Sequence, residues 1–205
     1  MIDRVGRAAA VLGLATMMAG CRAPAGAPGA SNGPPGAGSA AAPIAAEPLD
    51  RTWERDPGKV LSPGEPAPNF EGIAHTGMRV RLSSFQPARV VVYFYDADRA
   101  PGATSEARGF RDAWLRFSGK LGMVLGISSD DRISHRDFAT EERLPFLLVA
   151  DEGHAIARAF GVPIQGGREK PVTFIVGPDG KIERVYTEVD PDKQADQVVE
   201  ALSSK

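Results

Sequence analysis

The chain has 205 residues, of which 42% are hydrophobic and 24% are charged, and its formal net charge at pH 7 is -2. This length allows one ordinary domain with an appendage, and the near balance of charge gives no reason to expect nucleic acid as a partner. Cys21 is the single cysteine. An internal disulfide, a CxxC redox pair and a cysteine-rich zinc site are therefore excluded.

Residues 1–20 have the pattern of an export signal. Two arginines precede an apolar run from Ala8 to Gly20, which is shorter than the roughly 20 residues needed to span a bilayer. Met18-Ala19-Gly20-Cys21 resembles a bacterial lipobox, which implies cleavage before Cys21 and lipidation of its sulfur. A plain secretory signal with an incidental cysteine is the alternative. Because Arg22 follows the cysteine, the rule known for enteric bacteria predicts an outer-membrane anchor that faces the periplasm.

Residues 21–58 form the next segment, in which Ala, Pro and Gly dominate and no hydrophobic periodicity is present. Such a composition buries too little apolar surface to offset chain entropy, so it predicts a disordered tether. At roughly 37 residues, a flexible coil would extend ~35 Å. Residues 59–205 are then the single folded domain.

The first elements of this domain begin near Leu61. Met78–Leu82 alternates like a short strand, and the β-branched and aromatic run Arg89–Tyr95 predicts a buried central strand. A helix follows, with Thr104 as its predicted N-cap and Glu106 early in the helix, where a negative charge suits the dipole. Its predicted buried face carries Phe110, Trp114 and Phe117.

The second half alternates strands and helices. The predicted elements are a strand over Leu121–Ile127, a helix capped by residues 128–131 and running through Phe138, a strand over Phe146–Val149, a helix over Ala155–Phe160, a loop at Gly166-Gly167, a strand over Val172–Val176, a tight turn at 177–180, a strand over Lys181–Tyr186 and a helix from about Asp192 to Leu202. This alternation predicts an α/β fold, a central mixed sheet with helices on both faces.

Several segments resemble the peroxiredoxins. Pro63–Phe70 resembles their G-x-x-A-P-x-F opening, Ser83-Ser84-Phe85 resembles their L-S-D-F turn, and the run from Val90 into Pro101-Gly102-Ala103-Thr104 resembles the strand that enters their Pro-Gly-Cys-Thr turn. The resemblance covers most of 62–202 and is closest to the bacterioferritin-comigratory type. It implies a thioredoxin-like fold in its peroxiredoxin elaboration, with a thiol peroxidase active site and no cofactor or metal.

The resemblance also locates the catalytic set of that family. A thiolate at the first helical turn is activated by exposed N–H groups and the helix dipole, with a threonine, a proline and a distal arginine beside it. In this chain Ala103 stands at the nucleophile position, Ala100 at the threonine position and Pro171 at the arginine position, while Pro101 is retained. Arg108 falls where some relatives carry a resolving cysteine.

These replacements predict that thiol peroxidase activity is lost. A deliberate cysteine-to-alanine change would explain Ala103 but not Ala100 and Pro171. The Pro-x-Thr-Phe run that begins at Pro171 also resembles the cis-proline segment of cytochrome-maturation thioredoxins. This resemblance makes a cis bond before Pro171 plausible, although sequence alone cannot show it.

The leading functional hypothesis is therefore a membrane-anchored, peroxiredoxin-like protein of the cell envelope that is catalytically degenerate and acts by binding. A small anionic ligand or an envelope protein are the candidate partners, and the candidate ligand pocket comprises Gly102, Thr104, Arg99 and Arg108 at a helix N-terminus. Two alternatives stay open. One is an active antioxidant oxidoreductase that reduces peroxide with a non-thiol or partner-supplied group, and the other is a structural spacer or interaction module.

Other titratable groups give weaker predictions. The three histidines are expected to be solvated or capping groups rather than metal ligands: His75, His135 and His154. Four aspartates are expected near the carboxyl ends of adjacent strands, where capping and solvation compete with a cation site: Asp96, Asp98, Asp130 and Asp131.

Overall fold

A computed structural model describes residues 59–118 and 122–203 of the chain. The predicted signal segment, Cys21 and the whole of the predicted tether lie outside these residues, as do the side chains of residues 117 and 118. None of the helices in the described ranges has the length and apolar character that crossing a bilayer requires.

The described residues form nine strands, one 3-10 helix and five α-helices. The strands are β1 (Glu71–Ala74), β2 (Arg79–Arg81), β3 (Arg89–Phe94), β4 (Gly122–Ser128), β5 (Leu147–Ala150), β6 (Ile164–Gln165), β7 (Arg168–Glu169), β8 (Val172–Val176) and β9 (Ile182–Tyr186). The α-helices are α1 (Pro101–Asp112), α2 (Trp114–Ser118), α3 (Arg132–Glu142), α4 (Ala155–Ala159) and α5 (Gln194–Ser203), and the 3-10 helix spans Leu82–Phe85.

Seven of the strands form one mixed sheet in the order β2-β1-β5-β4-β3-β8-β9. Strands β3, β4 and β5 run parallel, whereas β8 pairs antiparallel with β3 and with β9. Strand β3 lies inside the sheet between β4 and β8, and every residue in it after Arg89 is apolar and buried, as expected of a strand covered on both faces.

Each face of the sheet carries its own apolar cluster. One cluster includes Phe94, Phe160 and Phe174 and lies between the sheet and α4, with the Phe160 and Phe174 ring centroids 5.0 Å apart. The other includes Tyr93 and Phe110 and lies beneath α1, α3 and α5. The predicted α/β architecture with helices on both faces is confirmed.

Local signals located several elements correctly. Strand β8 has the predicted bounds, and Asp131 caps α3 by accepting hydrogen bonds from the N–H groups of Ile133 and Ser134, both at 2.8 Å. Helix α4 ends just before Gly161, whose φ of 70° lies in the left-handed region that favours glycine. Periodicity and capping chemistry were sufficient at these sites because both act within a few residues.

Two local predictions were wrong. Helix α1 begins at Pro101 with Ala100 at its cap position, so Thr104 lies inside the helix; proline is favoured at the first helical position. The helix also breaks at Ala113, which places half-buried Trp114 in α2. The predicted loop at Gly166-Gly167 is confirmed, and it is the two-residue turn of the unpredicted β6–β7 hairpin, where both glycines have positive φ.

Candidate functional site

The turn that joins β3 to α1 is the centre of the candidate site. Ala103 lies in the first turn of α1 and is only 4% exposed, packed in the apolar cluster beneath the helix. The N–H of Thr104 donates to the carbonyl of Ala100 at 2.8 Å, which closes that turn. A buried methyl group therefore occupies the position that resemblance assigns to a nucleophile.

The two arginines of the predicted ligand pocket are both bonded to carboxylates of α3. Arg99 donates from two nitrogens to Glu141 at 2.8 Å each, and Arg108 donates to Glu142 at 2.7 and 2.9 Å. Arg99 also has a φ of 62°, a conformation uncommon for a residue other than glycine. These bidentate pairs fix the guanidinium groups on α3. Gly102 and Thr104 lie between them at the start of α1, exposed and half-buried respectively.

The segment that precedes β8 carries Pro171 at the position that the resemblance assigns to the distal arginine. Pro171 is exposed and its bond to Lys170 is trans; the cis bond among the described residues lies at Gln86–Pro87. Two residues later, the hydroxyl of buried Thr173 donates to the Glu106 carboxylate at 3.4 Å. A cis-proline arrangement at Pro171 is therefore excluded.

Glu106, which the sequence analysis described only as a negative charge suited to the helix dipole, is a buried acid. It is 2% exposed, and burial raises its pKa to about 8, with the charge of Asp96 adding to the rise and the Thr173 hydrogen bond opposing it. Glu106 is therefore largely protonated at neutral pH. The signal that could have found it is spacing, since it lies three residues after Ala103 and four before Phe110, on the inner face of the helix.

A cluster of buried polar side chains surrounds Asp98, which lies in the loop between β3 and α1. Its carboxylate accepts hydrogen bonds from the Tyr95 hydroxyl at 2.9 Å and the Ser134 hydroxyl at 2.7 Å, and it lies 3.0 Å from Nδ1 of His135. His135 is fully buried, so its predicted solvation is wrong. It lies one turn before Phe138 on the inner face of α3, which explains its burial.

The predicted meeting of aspartates at the sheet edge is confirmed for Asp98 and Asp130. The N–H of Asp98 donates to Asp130 at 2.7 Å, and Arg168 donates to the same carboxylate at 2.8 Å. Burial favours a higher pKa for Asp130, but the bonds from Arg168, the Asp98 N–H and Ser128 together lower it below its ordinary value. Within residues 59–118 and 122–203 there is no group of three or more His, Cys, Asp or Glu side chains placed to hold a metal ion.

The remaining histidines have protein partners. Nδ1 of His75 accepts from the N–H of Leu148 at 3.1 Å, and burial followed by the proximity of His135 lowers the pKa of His75. His154 is at the cap position of α4, where its Nδ1 lies 2.7 Å from Glu169. These contacts are consistent with structural roles for both.

Two surface cavities lie away from the turn. One of about 360 Å³ lies between β9 and α5 and is lined by Arg184, Tyr186, Gln197, Glu200 and Ala201. The other, of about 240 Å³, lies near the start of β3 and the end of β8 and is lined in part by Leu82, Val90 and Val176. The Pro101–Thr104 turn lines neither of them.

Known proteins share this sequence and fold. The AhpC/TSA family matches residues 63–185. The chain is 38% identical over 150 residues to peroxiredoxin Q, chloroplastic, of Oryza sativa subsp. japonica, which covers 72% of this chain and 69% of that protein. The corresponding protein of Gentiana triflora is 37% identical over 147 residues, covering 70% of this chain and 68% of that protein.

Solved peroxiredoxin structures also match this chain, in fold as well as in sequence. Peroxidoxin BcpB from Mycobacterium tuberculosis matches with a TM-score of 0.67 and 31% identity, covering 70% of this chain and 97% of that one. The bacterioferritin comigratory protein of Xanthomonas campestris matches with a TM-score of 0.65 and 27% identity, covering 70% and 98%. The chain therefore belongs to the AhpC/TSA family and has the thioredoxin-like fold of the peroxiredoxins.

Proposed function

We propose that this protein is a lipid-anchored peroxiredoxin of the bacterial cell envelope that has lost thiol peroxidase chemistry and acts by binding a ligand or another protein. One observation carries this proposal. Residues 22–205 contain no cysteine, and a buried alanine methyl group lies at the helical turn where the family resemblance places the nucleophile.

The chemistry of peroxide reduction supports the loss. A thiolate must attack one peroxide oxygen while the O–O bond breaks, and the methyl group of Ala103 has no lone pair with which to attack. Ala100 has no hydroxyl to hold a peroxide oxygen, and Pro171 has no guanidinium group to stabilise developing negative charge. Each of the three functions that the resemblance assigns to this pocket lacks its chemical group.

Without peroxidase chemistry, the function left for this turn is to bind an anionic ligand or another protein. The first turn of α1 still presents backbone N–H groups to an anion, with Gly102 and Thr104 beside it. Arg99 and Arg108 are neutralised by Glu141 and Glu142, so an anionic ligand has to compete with those carboxylates. Because the Arg99 and Arg108 side chains are 45% and 55% exposed, an anion can reach both guanidinium groups from solvent. A periplasmic protein that contacts the same charged face of α1 and α3 is the alternative occupant.

The location is proposed from residues 1–58. Lipidation of Cys21 would fix the chain to the membrane, and the tether would hold the domain away from its surface. Globomycin should cause an uncleaved precursor to accumulate, and Cys21→Ser should release the protein from the membrane fraction. Processing that is insensitive to globomycin, together with unchanged membrane association of Cys21→Ser, would show that Cys21 is not the anchor.

The loss of activity is tested with the full-length protein in detergent. Hydrogen peroxide is added with dithiothreitol as reductant, and peroxide consumption is expected to equal that of a protein-free control. The Cys21→Ser variant is the matched control because an unlipidated Cys21 thiol could itself react with peroxide. Turnover that persists in Cys21→Ser would contradict the proposal.

Family membership favours one competing function, an active antioxidant oxidoreductase. Its reactive group would have to be a non-thiol side chain or a cysteine supplied by a partner. Repeating the assay with thioredoxin and with periplasmic extract tests this possibility. Peroxide loss that requires both the extract and this protein would establish the competing function.

A further inference from the structure

The three tyrosines of the chain differ in what their hydroxyl groups contact. The hydroxyl of Tyr95 donates to the carboxylate of Asp98 at 2.9 Å. Tyr93 is equally buried, but its hydroxyl has no hydrogen-bond partner among the described residues. The hydroxyl of half-buried Tyr186 donates to a neutral backbone carbonyl of α5 at 3.5 Å. Tyr95 is therefore the tyrosine whose proton has a strong base beside it.

The carboxylate beside Tyr95 is held in place from other sides as well. The side chain of Asp98 is 2% exposed, accepts from the Ser134 hydroxyl at 2.7 Å and lies 3.0 Å from Nδ1 of His135. The same Nδ1 lies 3.3 Å from the Tyr95 hydroxyl. The phenol is thus surrounded by a fixed carboxylate and a fixed imidazole, both shielded from solvent.

This environment keeps the phenol protonated as long as its ring is intact. Burial is the main cause that raises the pKa of Tyr95 well above its ordinary value, and interactions with Tyr93 and Asp98 add to the rise. A phenol that loses an electron becomes a strong acid, and a buried positive charge is costly. Transfer of its proton along the hydrogen bond to Asp98 would leave a neutral tyrosyl radical and a neutral carboxyl group. The pair is therefore arranged so that oxidation of the ring leaves no charge buried.

A row of aromatic rings connects Tyr95 with the surface. The rings of Tyr95 and Tyr93 are stacked, with centroids 5.4 Å apart. The centroid of Phe146 lies 6.1 Å from that of Tyr93 and 6.2 Å from that of Trp114. Trp114 is half-buried, so a small oxidant in solvent can contact its indole ring. Because tryptophan and tyrosine give up an electron far more readily than phenylalanine, Phe146 is the bridge between the two oxidisable ends.

Hydrogen bonding makes Tyr95 the end of this row. Burial raises the pKa of Tyr93 well above its ordinary value, and its hydroxyl has no partner that could take a proton. An oxidised Tyr93 would therefore keep its positive charge in an apolar cluster, which is unfavourable. Tyr95 can release its proton to Asp98, so an electron vacancy is expected to settle there.

We propose that Tyr95 is a redox-active tyrosine, which is oxidised to a tyrosyl radical through Trp114 and Tyr93 while its proton passes to Asp98. The oxidant that fits is an organic peroxyl radical, ROO•, which is small and needs a single electron. It takes that electron from the indole of Trp114 and a proton from solvent, and becomes ROOH. The indole radical cation then takes an electron from Tyr95, whose phenolic proton moves to the carboxylate. One peroxyl radical is consumed for each tyrosyl radical formed.

This one-electron chemistry goes beyond the binding function proposed above. It needs no thiol, because the electron comes from an aromatic ring and the proton is accepted by a carboxylate. It also consumes a radical rather than hydrogen peroxide. Failure of one proposal therefore leaves the other in place.

Pulse radiolysis of the full-length protein tests the identity of the radical. Azide radicals generated by the pulse oxidise tryptophan by one electron, and optical absorption follows the loss of the indolyl radical and the rise of the tyrosyl radical. We expect a long-lived tyrosyl signal in the wild type and its loss in Tyr95→Phe. Tyr186→Phe is the matched control and should keep the wild-type signal. A tyrosyl signal that persists in Tyr95→Phe would overturn the proposal.

The two tryptophans test the route. Trp114→Phe removes the surface end of the row, so the tyrosyl radical should form more slowly and in lower yield. Trp53→Phe, at a position outside the described residues, is the control and should leave both quantities unchanged. Equal yields in the two variants would contradict the assignment of Trp114.

A second pair of variants tests the base. Asp98→Asn replaces the carboxylate with an amide that cannot accept the proton, whereas Ser134→Ala removes another hydrogen bond to the same carboxylate. Both are measured under conditions in which near-UV circular dichroism shows a folded protein. The long-lived tyrosyl radical should be lost in Asp98→Asn and kept in Ser134→Ala. Equal radical yields in both would refute proton transfer to Asp98.

A measurement on the wild type keeps the proposal testable if Asp98→Asn does not fold. Peroxyl radicals are generated from a water-soluble azo initiator in aerated buffer, and the sample is frozen for electron paramagnetic resonance. A tyrosyl radical is expected, with an exchangeable proton hydrogen-bonded to its oxygen that electron–nuclear double resonance detects by comparison with deuterated buffer. No tyrosyl radical, or one without such a proton, would overturn the proposal.

Discussion

Nδ1 of His135 lies 3.0 Å from both carboxylate oxygens of Asp98, and both side chains are buried. This contact ties the β3–α1 loop to α3 across 37 residues of sequence. The same carboxylate accepts hydrogen bonds from Tyr95 and Ser134, so Asp98 holds the loop that leads into the Ala103 turn at three points.

Asp98→Asn is expected to destabilise the domain. Its amide nitrogen would face hydroxyl and imidazole donors, and hydrogen bonds to a charged acceptor are worth about 1.5–3 kcal/mol each. We expect the free energy of unfolding to fall by about 2–4 kcal/mol, measured by urea denaturation at neutral pH. Asp137→Asn is the control, since Asp137 is exposed and bonds the neighbouring Arg136. Equal urea midpoints for the two variants would contradict the role assigned to Asp98.

Glu106 predicts a dependence of stability on pH. In the folded protein it keeps its proton up to about pH 8, whereas in the unfolded chain it ionises near 4.5. The folded state therefore binds more protons between these values, so the contribution of Glu106 to the free energy of unfolding falls as pH rises from 4.5 to about 8 and then levels off. Glu106→Gln should remove this contribution, which is on the order of a few kcal/mol.

The measurement is urea denaturation of wild type and Glu106→Gln at about pH 5, 7 and 9. The free energy of unfolding of Glu106→Gln should exceed that of the wild type by an amount that increases with pH. A difference between the two proteins that stays constant over this range would show that Glu106 titrates at its ordinary value.

Restoring the nucleophile should not restore the enzyme. In Ala103→Cys the thiol would lie in the first turn of α1, but Ala100 and Pro171 would still lack the hydroxyl and guanidinium groups of the family pocket. We expect less than about a tenfold gain in peroxide consumption with dithiothreitol. Adding Ala100→Thr and Pro171→Arg to Ala103→Cys should raise it further. A large gain from Ala103→Cys alone would show that the pocket is otherwise competent.

Gly126 is predicted to be a packing constraint of β4. A Cβ atom there would lie 2.6 Å from Cδ2 of Leu148 and 2.7 Å from Cζ of Tyr93, a ring held by Phe110 and Phe146. Gly126→Ala should therefore lower the free energy of unfolding by about 1–3 kcal/mol in urea denaturation. Gly153→Ala is the matched control, since a Cβ at Gly153 meets no atom within 4 Å. Similar losses in both variants would argue against this packing role.

The elements of the fold were largely predictable from the sequence. Strand β8, the cap at Asp131 and the end of α4 depend on periodicity, capping oxygens and glycine, which act within a few residues of the chain. The β6–β7 hairpin was missed although Gly166-Gly167 is a recognised two-residue turn. Its strands have two residues each, too short for an alternating pattern to be visible.

The sequence by itself determined the fold class, the family resemblance and the absence of a cysteine nucleophile from residues 22–205, because these depend on residue identity and local order. Only the tertiary structure decided which charges are buried and which are paired. Glu106 meets Thr173 across 67 residues, and Arg99 meets Glu141 across 42. Such contacts form when helices pack on a sheet, and the resulting change in solvation sets the pKa of a buried acid, which no local pattern encodes.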